Sequence, residues 1–173
     1  MEKYKEQKWS GQKGKKFGHA GRVEDPYQPE AGEEAALCTQ CHALYQEKRW
    51  SYDQKLYDRL AGTDKVREVV CPTCRKVNDG YAEGYLSLSG EFFNQHRDEI
   101  VKLLEKEAAR VGARSVMDRI IRMAPEGKDT LVVETTTDKL VQRLGRAVYR
   151  AYKGDLKFHW GEMDYLVRVY WSR

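Results

Sequence analysis

The sequence predicts an α+β protein in three parts: a basic arm at 1–36, a zinc ribbon at 37–86 and an α+β domain at 87–173. Three observations predict it. Residues 1–36 have no apolar period. Two Cys-x-x-Cys pairs, Cys38/Cys41 and Cys71/Cys74, bracket a stretch of 29 residues. Beyond residue 86 the apolar residues switch between helical spacing and strict alternation. The expected order there is αββαββ, an antiparallel sheet with two helices on one face.

The arm comes first. Residues 1–22 carry seven cations (Lys3, Lys5, Lys8, Lys13, Lys15, Lys16 and Arg22) against Glu2 and Glu6. The whole chain carries only +4, so the rest of it is close to neutral. Such a stretch is rich in Lys, Gln, Glu and Gly and is expected to be flexible. Tyr4, Trp9 and Phe17 stand among the lysines. Rings can stack on exposed bases while cations meet phosphates, so Lys8, Trp9, Lys13, Lys15 and Lys16 are candidate nucleic-acid contacts. A solubilising tail is the plainer reading.

In the ribbon, "HALYQEKRWSYD" and "DKVREVV" read as short strands, with Trp50, Tyr52, Val66, Val69 and Val70 as partners and a turn at Gly62 and Asp64. "KLYDRLAG" fits a short helix or a strand end. In each pair, the two-residue spacing lets a tight turn aim both sulfurs at one point, so Cys38, Cys41, Cys71 and Cys74 read as the ligands of one structural Zn2+. Arg75 and Lys76, with Lys48 and Arg49, would offset the charge of four thiolates, and Arg75 and Lys76 are also candidate nucleic-acid contacts. A redox pair belongs at a strand-to-helix junction and needs only one pair. An iron–sulfur cluster also takes four cysteines and stays open as an alternative. His42 reads as a bystander.

The α+β part opens with "LSLSGEFFNQHRDEIVKLLEKEAARVG", read as a helix capped by Ser89 and closed by Gly112. Phe92, Phe93, His96, Ile100, Leu103 and Leu104 mark its apolar face. "SVMDRIIRMA" and "DTLVVETT" read as strands around a turn at 125–128. "TDKLVQRLGRAVYRAYKG" reads as a helix with Thr137 as N-cap and Leu140, Leu144, Ala147, Val148 and Ala151 on one face. "LKFHW" and "DYLVRVYW" make a terminal hairpin in which Tyr165, Val167, Val169 and Trp171 alternate with Leu166, Arg168 and Tyr170.

Apolar residues form 40% of the chain and charged residues 34%, which leaves room for one modest core. No apolar run is long enough to span a bilayer, and the basic N-terminus lacks the apolar stretch of a secretory signal. A cytoplasmic, thiol-reducing setting is therefore expected. No enzyme is expected either. The chain has no Walker loop, no GxGxxG and no GxSxG, and its four histidines are scattered. Thr135, Thr136, Thr137 and Asp138 could hold a phosphate at a helix start, although a cap is the commoner use of such residues. Lys139, Arg143, Arg146 and Arg150 form a cationic line along the last helix that suits phosphates. Lys157, Trp160, Arg168, Tyr170 and Trp171 bring cations and rings to the last hairpin, where they could meet single-stranded RNA.

The cysteine pairs, together with "DGYAEGYLSLSGEFFNQHRDEI", "VVETTTDKLVQRLGRAVYRAYKGDL" and "YLVRVYW", resemble a small bacterial family of zinc-ribbon proteins, from about Cys38 to Arg173. The ribbon is also similar to the cysteine-rich N-terminal region of the archaeal and eukaryotic adaptor for large-subunit ribosome export, the nonsense-mediated decay protein three family. That likeness implies zinc at Cys38, Cys41, Cys71 and Cys74 and docking on ribosomal RNA and proteins. The adaptor has more than one cysteine set, whereas this chain has one, and the adaptor's later domains have no counterpart here. The expectation is a non-catalytic protein that binds RNA or the ribosome. The alternative is a protein–protein adaptor in which the arm is only a tether.

Overall fold

The structure is a computed structural model that describes residues 5–8, 27, 35–64, 66–161 and 166–173, the first four by backbone alone. Trp9, Lys13, Lys15, Lys16 and Tyr165, singled out from the sequence, lie outside the described residues. Two mixed sheets and five helices make up the described fold.

β1 (Lys5–Lys8) comes from the basic arm and pairs with a strand near the C-terminus. The cysteine region begins with β2 (Ala36–Cys38), β3 (Leu44–Gln46) and β4 (Arg49–Ser51). β3 and β4 form a hairpin on Glu47 and Lys48, both at positive φ, the backbone of a two-residue turn that follows strand twist. "HALYQEKRWSYD" is thus two strands. α1 (Gln54–Leu60) follows, with the Asp53 carboxylate accepting from the Leu56 amide at 3.0 Å. β5 (Arg67–Val69) returns parallel to β2, which completes a small sheet ordered β4-β3-β2-β5.

α2 (Pro72–Asp79) is a correction to the expected second knuckle. Proline at the first helical position has no amide hydrogen to leave unpaired, Cys71 caps the helix, and Gly80 at φ 64° ends it. The second cysteine pair is therefore the opening turn of a helix, and the first is a turn between strands.

β6 (Gly84–Ser89) corrects the next expectation. Ser89 is expected to cap a helix opening at "LSLSGEFF", but Leu86 and Leu88 are buried while Tyr85, Ser87 and Ser89 face the other way, the period of a strand. Ser89 is no cap. The helix begins beyond Gly90 and is broken at His96, giving α3 (Glu91–Gln95) and α4 (Arg97–Gly112). β7 (Ile120–Glu126) and β8 (Thr130–Thr135) pair antiparallel. β7 is an edge strand, which is why it tolerates Pro125. α5 (Asp138–Tyr152) is capped by Thr137 as expected. β9 (Asp155–Trp160) and β10 (Val167–Ser172) close the chain as a hairpin.

The large sheet runs β1-β9-β10-β6-β8-β7. It is mixed, not antiparallel, because the hairpin turns β10 rather than β9 toward β6, and those two strands run parallel. The order along this region is βααββαββ in place of αββαββ. One face carries Leu86, Leu88, Val133, Leu156, Phe158, Val167, Val169 and Trp171, all buried against Phe93, Ile100 and Leu104 of α3 and α4 and Leu140, Val141, Leu144 and Val148 of α5. Ala151, expected on that helix face, is exposed. Gly145 sets how closely α5 approaches: a Cβ there would lie 2.7 Å from Val169 Cγ1. Among the described residues no helix is long and apolar enough to cross a membrane.

Candidate metal centre

Four cysteines converge where the small sheet meets α2. Cys38 ends β2, and its carbonyl accepts from the His42 amide at 3.0 Å, closing the turn that carries Cys41. Cys71 caps α2 and Cys74 lies in its first turn. The ligand atoms all lie within 4.8 Å of one another. Cys38 Sγ is 3.8 Å from Cys74 Sγ, and Cys41 Sγ is 3.6 Å from Cys71 Sγ. A disulfide requires about 2.05 Å, so these sulfurs are not bonded to one another. A tetrahedral ion with metal–sulfur bonds of about 2.3 Å requires sulfur–sulfur edges of roughly 3.8 Å. The four thiols can hold such an ion, and they fill all four of its positions.

Their surroundings favour anionic sulfur. The Cys71 amide donates to Cys38 Sγ at 3.3 Å and the Cys74 amide donates to Cys71 Sγ at 3.4 Å. The positive end of α2 points at the same place. Cys38, Cys71 and Cys74 are buried with Ala43 and Val116, and Cys41 is half-buried. Packed this closely without a cation, the thiols cannot all ionise. Hydrogen bonds with Cys41 and Cys71 pull the Cys38 thiol down, and the same sharing with Cys38 and Cys41 pushes Cys71 up. Burial, and then the charge of Cys41, push Cys74 up to about 12. A bound cation removes that conflict, because each added thiolate is then attracted rather than repelled.

The segment after α4 completes the setting. Arg119 Nη1 donates to Cys74 Sγ at 3.7 Å, and its Nη2 donates to the Tyr52 hydroxyl at 2.5 Å. Burial opposes the Arg119 charge, but the Tyr52 hydroxyl and the Cys41 and Cys74 sulfurs outweigh it and raise its pKa. The Thr73 hydroxyl meets Met117 Sδ at 3.4 Å. Sequence reading missed Arg119, since it sits between a helix and a strand where no period marks it. His42 stacks on Tyr57, with centroids 4.7 Å apart, and is not among the converging ligands.

The cations named from the sequence scatter. Lys76 is 2% exposed, and its Nζ lies 2.5 Å from Glu83 Oε1, so it is withdrawn as a nucleic-acid contact. Arg75 lies over the Tyr27 ring at 5.5 Å. Lys8 stands opposite Lys157 in the β1–β9 register. On α5, Lys139, Arg143 and Arg150 are exposed, while Arg146 is half-buried over the Phe158 ring at 5.1 Å. Trp171 is buried and donates through Nε1 to the Lys153 carbonyl at 2.6 Å, so it is core rather than a stacking platform. Thr137 caps α5 through the Leu140 amide, and the Thr136 hydroxyl donates to the Met117 carbonyl at 2.6 Å. The threonine run is thus employed within the fold. Comparison with protein-family models, with curated proteins and with solved structures gives no match.

Proposed function

We propose that the chain is a non-catalytic, zinc-holding cytoplasmic protein that binds RNA, with the ribosome as its setting. The observation that carries the reading is α5. It presents Lys139, Arg143 and Arg150 to solvent, and no acidic residue occurs between 139 and 154. Cations grouped on one helix face are the footprint of a phosphate backbone.

Zinc suits four thiolates, which are soft donors in a tetrahedral set. When bound, it cross-links β2 to α2 and offers no free coordination position, which supports a structural rather than a catalytic role. The likeness of the cysteine module to the ribosome-export adaptor points the same way.

Two measurements test this. Metal analysis of the purified chain is expected to find one zinc per chain, and a coloured iron centre would replace zinc as the ion. Co-sedimentation with ribosomes at rising salt is expected to show binding that fades steeply. Binding indifferent to salt and to nuclease would instead support a protein–protein adaptor.

A further inference from the structure

Where α4 and α5 lie side by side, three charged side chains close on one another. Glu107 on α4 accepts from Arg110, one turn later, through Nε at 3.0 Å and Nη2 at 2.7 Å. The same carboxylate accepts from Arg143 Nε on α5 at 2.9 Å. The side-chain exposures are unequal: 12% for Glu107, 50% for Arg110 and 47% for Arg143. The anion therefore lies beneath two guanidiniums that face water.

That arrangement leaves donors over. Arg143 uses only Nε, and Arg110 uses Nε and Nη2. Both Nη groups of Arg143 and Nη1 of Arg110 meet no acceptor among the described residues. Two cations against one carboxylate leave a net charge of +1. Glu107 also fixes both guanidiniums in advance. A lone exposed arginine loses rotamer freedom on ordering, and here part of that loss is already met within the fold. Preset guanidinium forks match phosphate oxygens in pairs.

We infer that the Arg110–Glu107–Arg143 cluster is a phosphate-binding fork for the backbone of double-stranded RNA, extended along α5 by Lys139 and Arg150. This rests on the RNA-binding reading above and locates its contact surface. The line from Lys139 to Arg150 spans about 16 Å at a rise of ~1.5 Å per residue, enough to follow a backbone. It carries no aromatic ring. Tyr149 lies under Lys153, and Tyr152 packs on Phe92. Recognition of single strands leans on stacking, whereas duplex RNA is met through phosphates and shape.

The test uses the full chain with its metal and a 20-base-pair RNA duplex of mixed sequence, followed by fluorescence anisotropy across salt. The variants are Arg110→Ala with Arg143→Ala, Arg110→Lys with Arg143→Lys, and Lys55→Ala on α1 as a control, each checked for folding by its thermal midpoint. The alanine pair is expected to lower the log–log salt slope by about two. The lysine pair keeps both charges and is expected to keep the slope while binding several-fold more weakly, since lysine cannot form the fork. Lys55→Ala is expected to bind like the parent. If the parent binds the duplex and both arginine pairs match it, the cluster is only an interhelix staple and the fork is wrong. Should the alanine pair fail to fold, a lysine pair with parental affinity overturns the fork by itself. Equal losses in the control would show diffuse charge instead of a site. A parent with no duplex binding at low salt sinks the RNA reading itself, and the fork with it.

Discussion

The cysteine region and the α+β region of one chain are held together by different means. Among the described residues, the large sheet and its helices bury seventeen hydrophobic residues in one cluster, including Phe93, Phe158 and Trp171. The cluster beside the small sheet has five buried residues among those described, three of which are cysteines. At about 1.5–3 kcal/mol for each large side chain removed from water, the first cluster is the main apolar core of the described fold. The small sheet buries Leu37, Leu44 and Tyr45, but the cluster that ties β2 to α2 is mostly sulfur. A small module with so modest a core gains from a staple, and a metal held by the four cysteines would supply one.

Removing the metal is the strongest way to break that contrast. With chelator, or with Cys71→Ser, amides of β2, β3 and β5 are expected to exchange freely while those of β6, β8 and β10 stay protected in hydrogen–deuterium exchange. Structural zinc in small modules is worth about 10–16 kcal/mol, so the loss should be complete. If both regions opened together, the contrast would collapse. The reverse experiment is Leu144→Ala, which opens a cavity between α5 and the sheet and is expected to cost about 2–5 kcal/mol in denaturant unfolding with metal content unchanged.

Arg119→Ala probes the seam between the two regions. It removes the donor to Cys74 and the partner of Tyr52, and is expected to weaken metal affinity by about 10- to 100-fold in chelator competition. Unchanged affinity would mean that the two regions touch without influencing one another. Thr137→Ala takes away the cap of α5 and is expected to cost about 1 kcal/mol, confined to the α+β region.

The smallest effect concerns Glu107. Its hydrogen bonds from Arg110, and next from Arg143, hold its carboxyl below the usual range. A group whose folded pKa is lowered adds stability above its unfolded pKa, near 4.5, and loses it as pH falls through the folded value. Glu107→Gln should therefore flatten the acid limb of the stability curve slightly and leave neutral-pH metal content alone.

The two regions also differed in how far their sequence could be read. The convergence of Cys38, Cys41, Cys71 and Cys74 was plain, since two Cys-x-x-Cys pairs in one short stretch have few other uses. Arg119 was not, because its partners are 45 and 67 residues away. In the α+β region, α5 was legible through its period and its threonine cap. β6 was misread because "LSLS" runs straight into Gly90 and an apolar helix, and Ser89 there resembles a cap. Nothing local announces that β10 pairs with β6, since that parallel contact joins residues about eighty apart. Lys76 looked like a surface cation, and only the fold brings Glu83 to it.

The seat of β10, between β9 and β6, has a consequence for biosynthesis. The strand made last among the described elements is an interior one. While the polypeptide is still being extended, β6 can zip to β8 but keeps its other flank bare, a template for unwanted pairing. A nascent chain that has emerged only through α5 is thus an aggregation hazard, and the large sheet completes its assembly late, when Val167–Ser172 arrives.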